Sequence, residues 1–220
     1  MLIAGRLIEV DDLPNEFQDP AWANSSLKRD RLSEFLTEGH ADGGNYLVKN
    51  HFAVPGERNA MLFNRSCKVI MTFRDMRDSV VSRYFHHLRA GEVAEDGSFR
   101  DFFWATEPPN GKQTLEYMAR YVGTWDVEDD TLWKVRYEDL HTDVSGAVRS
   151  LAAFLEVDPA VIDLDEVSRL SRPTPARANV DAHIRTGRPG DWHNHLGDLE
   201  LEMVHEMVPE RIRHLVLRDE

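Results

Sequence analysis

Two stretches of this sequence carry side chains suited to gripping an anion. In residues 73–87, Arg74 leaves an apolar run and the chain turns at once into a helical pattern. A strand-to-helix turn presents backbone N–H groups and the positive end of a helix, and Arg74 adds a planar fork for phosphate oxygens. Ser82 stands eight residues after Arg74 and shares a helix face with Asp78, four residues before it. A plainer reading stays open, in which Arg74 pairs with Asp78 or Glu138 and Ser82 is an ordinary helix serine. The second stretch is residues 185–194, where Arg185, Gly187, Arg188, Pro189 and Gly190 fall within six positions. Glycines there permit close backbone approach to a ligand, and the arginines supply charge. Asp191-Trp192 then anchors the loop by burying the indole. The competing reading is a surface turn that happens to be basic.

Elements able to position these groups can be read from the apolar pattern. Strands are expected at residues 46–51, 68–74 and 132–137, the second nearly continuous in apolar residues, as in a strand buried on both faces. Asp75 is placed to cap a helix through Val80, Val81 and Tyr84, with Asp78 as its acidic partner three residues on. Apolar residues recur at helical spacing over 115–125, 144–155 and 203–208. Strands alternating with helices predict one α/β domain over residues 1–220, three layers deep around a mainly parallel sheet. Ligands in such folds bind beyond the carboxyl ends of the strands. His51, Arg74 and Tyr137 all stand at such ends. Residues 91–112 and 168–196 read as long irregular regions with short helical pieces.

Composition narrows the function. The 220 residues carry 26 basic and 39 acidic side chains, a net charge of −13. A field of that sign repels phosphate backbones, so general nucleic-acid binding is not expected, and an anionic ligand must meet a local basic cluster. No run of 18 apolar residues suggests a membrane span. The first ten residues are too short and too soon acidic for a secretory signal. One cysteine, Cys67, allows neither an internal disulfide nor a cysteine-based zinc site, which fits a cytoplasmic protein. His183, His193 and His195 cluster without helical metal-ligand spacing and read as solvated loop residues; no metal is expected. Phe99, Phe102, Phe103 and Trp104 read as a helix packed on the core.

Four motifs, in order over roughly residues 46–196, make the chain resemble the sulfotransferases that use phosphoadenosine phosphosulfate (PAPS). They are Lys49-Asn50-His51 at a strand end; Arg74 with Ser82 eight residues on; Tyr137-Glu138-Asp139 with Phe154-Leu155 later; and Arg185-Thr186-Gly187 followed by Gly190-Asp191-Trp192-His193. The resemblance implies a fold like that of P-loop-containing nucleotide hydrolases. It further implies that Arg74, Ser82, Arg185, Thr186 and Gly187 hold the ribose phosphate of PAPS and of its product PAP, and that Tyr137 lies near the adenine. His51 would be the general base, and Lys49 would neutralise charge on the sulfuryl group. The acceptor would be a small molecule or glycan with a hydroxyl or amine, and the aromatic segment 99–104 could form a wall of its site. The sequence leaves the oligomeric state open.

Asn50 stands where the family has Thr, Met76 where it has Pro, and Thr186 and His193 where it has Lys. The two missing lysines lower local positive charge, which Arg188 is placed to restore. The family's Lys-Ser/Gly-Thr phosphate loop is not found in this sequence. The first nine residues read as the body of an amphipathic helix without an N-cap, so the chain is expected to be N-terminally truncated just after that loop. Two alternatives stay open: a remnant that binds PAP without transfer, and a nucleotide-dependent kinase.

Overall fold

A computed structural model of the chain describes residues 18, 27–38, 46–49, 53–64, 67–171 and 189–217. The amphipathic segment expected at residues 1–9, together with Asn50, His51, His183, Arg185, Thr186, Gly187 and Arg188, lies outside them. In chain order the elements are α1 (Leu32–Glu38), α2 (Pro55–Phe63), β1 (Val69–Phe73), α3 (Met76–Arg89), α4 (Phe99–Trp104) and α5 (Gly111–Trp125). They continue with β2 (Leu132–Arg136), α6 (Asp139–Thr142), α7 (Val144–Phe154), α8 (Leu164–Ser171), α9 (Asp198–Met207) and α10 (Glu210–Val216).

Strands β1 and β2 pair, and they are parallel. Val69 N donates to Thr131 O at 2.8 Å, and Tyr137 N donates to Phe73 O at 2.7 Å, so both strands advance together. Helices alternate with these strands, which is the α/β class. Two expectations need correction. Residues 46–49 form no regular strand: Tyr46 makes an isolated bridge and the next three residues are irregular. A strand is completed only by a partner's backbone, and a short apolar run cannot specify one. Strand β1, expected to be buried on both faces, instead alternates. Val69, Met71 and Phe73 are buried, while Ile70 and Thr72 are exposed among the described residues. Successive side chains point to opposite faces, and only one face of β1 is covered there.

The chain divides into two compact units, one of residues 1–71, 124–134 and 145–164, the other of residues 72–123, 135–144 and 165–220. In the first unit, Pro55 opens α2 where its missing N–H costs nothing. Leu32, Phe35 and Leu62 of α1 and α2 are buried, and Arg29 pairs with Glu57 at 2.6 Å. Helix α7 ends with Glu156 in the left-handed region (φ 60°). Val157 N and Glu156 N donate back to Ala152 O and Ala153 O, the double bond of a Schellman stop.

Helix α3 organises the second unit, packing against α4, α9 and the turn at Asp191–Asn194. Its Met76, Val80, Val81 and Tyr84 are buried, as are Phe99, Phe102 and Phe103 of α4. The aromatic segment therefore does pack a helix into the core. Ser98 and Asp101 form a capping box that starts α4. Tyr84 Oη donates to Gly97 O at 2.7 Å, tying α3 to that start. Leu115 of α5 and Val204, Val208, Ile212 and Val216 near the C-terminus complete the buried set. Each such side chain contributes about 1.5–3 kcal/mol by leaving water.

Gly111 opens α5 hard against Phe103, where a Cβ would stand 2.8 Å from the Phe103 carbonyl oxygen and 2.9 Å from its Cα. Backbone cannot step aside as a flexible side chain can. Gly111→Ala should therefore destabilise the protein by about 1–3 kcal/mol. Gly56→Ala in α2, with open space at its Cβ, should stabilise it by about 0.5 kcal/mol. Urea denaturation of both variants checks this; equal midpoints would contradict the close packing at Phe103.

Candidate functional site

The carboxyl ends of β1 and β2 deliver Arg74 and Tyr137 to one place. The Arg74 guanidinium lies over the Tyr137 ring, 4.6 Å from its centroid. On Tyr137 rests the His141 ring, at 4.5 Å and 60°. Pairing of Phe73 O with Tyr137 N fixes the register that brings these groups together. Burial pushes the Tyr137 phenol up, with Asp78 and Glu138 adding to it and the Arg74 charge opposing. His141 is held below the ordinary histidine range, first by desolvation and then by the Arg74 cation, with Glu138 opposing.

Behind Arg74 the turn into α3 is filled with protein carboxylates. Asp75 caps the helix as expected, accepting from Arg77 N at 2.8 Å. Asp75 N in turn donates to the buried Glu138 Oε1 at 3.0 Å. These two backbone donors, expected to face an anionic ligand, are thus taken by side chains. The negative charge of the cap also fills the positive helix end. Positive charge for a ligand at this turn rests on the Arg74 side chain.

Asp78 departs furthest from its expected role. It is not the acidic partner of a capping box. It is 2% exposed, and its two oxygens reach across to the 189–194 segment. Gly190 N donates to Oδ2 at 2.7 Å, and Trp192 N donates to Oδ1 at 3.0 Å. Arg74 Nη2 stands 3.4 Å from the same Oδ2. The expected ion pair of Arg74 with Asp78 is present, as the longer of Asp78's three contacts.

Trp192 is buried at 7% exposure, as the sequence led us to expect. Its indole stacks on the Arg77 guanidinium at 4.0 Å, and the His193 ring stacks on it at 3.6 Å and 23°. Arg77 is itself buried and forked onto Asp75, with Nη2 to Oδ2 at 2.6 Å. The aromatic-cation stack allows a buried arginine to keep its charge paired. Gly190 adopts φ +84°, the left-handed conformation that glycine takes without strain. His195 packs on Phe85 and Phe99, with Nε2 3.2 Å from Asp191 Oδ2.

The expected site residues divide plainly. Arg74 and Tyr137 meet, and the Gly190–Trp192 stretch is bonded to the helix that follows Arg74. Ser82 is exposed on α3, one turn after Asp78. Lys49 is exposed and belongs to the first unit. His51, Arg185, Thr186 and Gly187 lie outside the described residues. Sequence reading missed the Asp78 anchor, the Arg77–Trp192 stack and His141. Elsewhere in the second unit, Trp104 is 40% exposed and borders an open hollow of about 560 Å³ with Arg100, Asp101 and Leu199. Its Nε1 donates to Glu200 Oε1 at 2.6 Å, fixing the indole.

His141 has a pH signature. Its folded state releases the proton more readily than the unfolded chain does. The stability it contributes is full above the ordinary histidine range and is lost as pH falls through that range to the lower folded value. Arg74→Gln should shift the His141 titration upward, toward the ordinary value, as followed by proton NMR of the ring. An unchanged titration would contradict the closeness of the Arg74 charge to His141.

The sulfotransferase domain model matches residues 40–215. The chain is 23% identical over 159 residues to sulfotransferase 6B1 of Pan troglodytes, covering 68% of this chain and 52% of that protein. It is 28% identical over 152 residues to sulfotransferase 1C2 of Oryctolagus cuniculus, covering 60% and 50%. The chain spans about half the length of these curated relatives. Among solved structures it is similar to mouse sulfotransferase SULT7A1 complexed with PAP, at a TM-score of 0.47 and 20% identity, covering 69% of this chain and 61% of that one. With a family model matching most of its length, the chain belongs to the sulfotransferase domain family.

Proposed function

We propose that this chain moves a sulfuryl group from PAPS to a hydroxyl or amine of a small-molecule or glycan acceptor. The observation that carries the reading is the meeting of Arg74 and Tyr137 at the carboxyl ends of two parallel strands, where α/β folds bind ligands. An arginine fork beside an aromatic ring suits a phosphorylated nucleoside: charge for the phosphate, a flat face for the base. Arg74 and Ser82 hold the ribose phosphate, joined by Arg185, Thr186 and Gly187. Tyr137 lies beside the adenine. The attachment of Gly190 and Trp192 to Asp78 supports the joining of the two arginine-bearing stretches.

In the transfer step the acceptor gives its proton to His51 while its oxygen or nitrogen bonds to sulfur. The bond from sulfur to the bridging phosphate oxygen breaks, and its electron pair leaves with PAP. A neutral imidazole is matched to this task near neutral pH. Lys49 neutralises charge on the sulfuryl group in flight, and the step depends chiefly on in-line positioning. The 220 residues act as one domain, in the cytoplasm, and the chemistry requires no metal.

Calorimetry with PAP and a transfer assay with labelled PAPS test this. Arg74→Met should weaken PAP binding about 10- to 100-fold, the loss of charge-assisted hydrogen bonds worth roughly 1.5–3 kcal/mol. His51→Asn should leave PAP affinity intact and lower transfer at least about 100-fold. PAP binding without transfer by the unaltered chain would contradict the activity and leave a nucleotide-binding remnant. Tight binding of adenosine triphosphate in place of PAP would point to a kinase.

A further inference from the structure

Asp78 is a buried carboxylate whose charge is compensated by three groups from two distant stretches of sequence. Two are backbone amides, Gly190 N at 2.7 Å and Trp192 N at 3.0 Å. The third is the Arg74 guanidinium, 3.4 Å away on the oxygen that Gly190 also uses. A carboxylate with 2% exposure must be paired, or its burial costs several kcal/mol. While both amides are in place, they are its close partners. Were they withdrawn, the only remaining compensation among these three would be Arg74, drawn onto Asp78 by the full uncompensated charge.

From this we infer that Asp78 is a positioning residue for recognition of the ribose phosphate. By binding the Gly190 and Trp192 amides it holds Arg74 in its place over Tyr137, so the anchored turn and the phosphate-binding arginine work as one unit. This inference rests on the reading that the site takes PAP through Arg74. It adds a specific consequence. Asp78 acts only on the phosphate that Arg74 grips, so it governs affinity for PAP over a nucleotide lacking the ribose phosphate. The base, placed beside Tyr137, makes no use of the Asp78 bonds.

Asp78→Asn is the direct test. The amide keeps the shape but turns one acceptor into a donor facing a backbone N–H, so one of the two anchors is lost. PAP affinity should fall about tenfold or more, roughly 1.4 kcal/mol per factor of ten, while affinity for adenosine 5′-monophosphate stays within about twofold. Equal losses for both nucleotides would mean a merely structural role, and no loss for either would mean no role; each overturns the inference. Should Asp78→Asn not fold, amide exchange in the unaltered protein serves instead. PAP should slow exchange at Gly190 and Trp192, and adenosine 5′-monophosphate should not; exchange indifferent to PAP overturns the coupling. Failure of the unaltered protein to bind PAP at all would overturn the underlying nucleotide reading, and the inference with it. That outcome is distinct from binding that Asp78→Asn leaves untouched.

Discussion

A buried negative charge organises the described part of this site. Asp78 cannot sit at 2% exposure without partners, and the partners it takes decide where the rest goes. Its hold on Gly190 and Trp192 brings the C-terminal turn against α3. Trp192, once seated, covers the Arg77 guanidinium, and Arg77 in turn forks onto the Asp75 carboxylate that caps the same helix. Glu138 closes the arrangement from the β2 side by accepting from Asp75 N. Three carboxylates and two arginines thus form a continuous charged network at the strand ends of a strongly acidic chain. The local order of signs matters there more than the net charge of −13.

On the proposed reading, the placement of Arg74 in this network is how an acidic protein would present a cation to the ribose phosphate. Asp75 and Glu138 already occupy two backbone donors at the start of α3, so the helix end is not the anion site that a bare strand-to-helix turn offers. What remains at the strand ends is side chains: a guanidinium over the Tyr137 ring, with the His141 ring tilted against the same tyrosine. A planar guanidinium can pair with a carboxylate and sit over an aromatic ring at once, which a point charge on a flexible stem does less well. Burial, and then the Arg74 charge, keep His141 neutral over more of the acid range.

How much of this was legible beforehand depended on how local each signal is. The β1 run, the Asp75 cap and the burial of Trp192 are written in neighbouring residues, and all three are present in the structure. The parallel sense of β1 and β2 followed from the helices between them. Asp78 was misread because its position three residues after a cap has a ready local meaning, whereas its actual partners lie 112 and 114 residues away. The Arg77–Trp192 stack is hidden for the same reason. At residues 46–49 a local apolar run suggests a strand, but among the described residues only an isolated bridge at Tyr46 is present. The exposure of Ile70 and Thr72 on β1 likewise reflects what covers the sheet, which composition of the strand itself does not record.

Crystals grown with PAP would show most directly, in the difference density, where the ribose phosphate binds. That phosphate should lie within hydrogen-bond distance of the Arg74 guanidinium, with the adenine beside Tyr137 and the Asp78 bonds to Gly190 and Trp192 intact. A phosphate bound away from Arg74, or density for PAP on another face of the second unit, would contradict this placement.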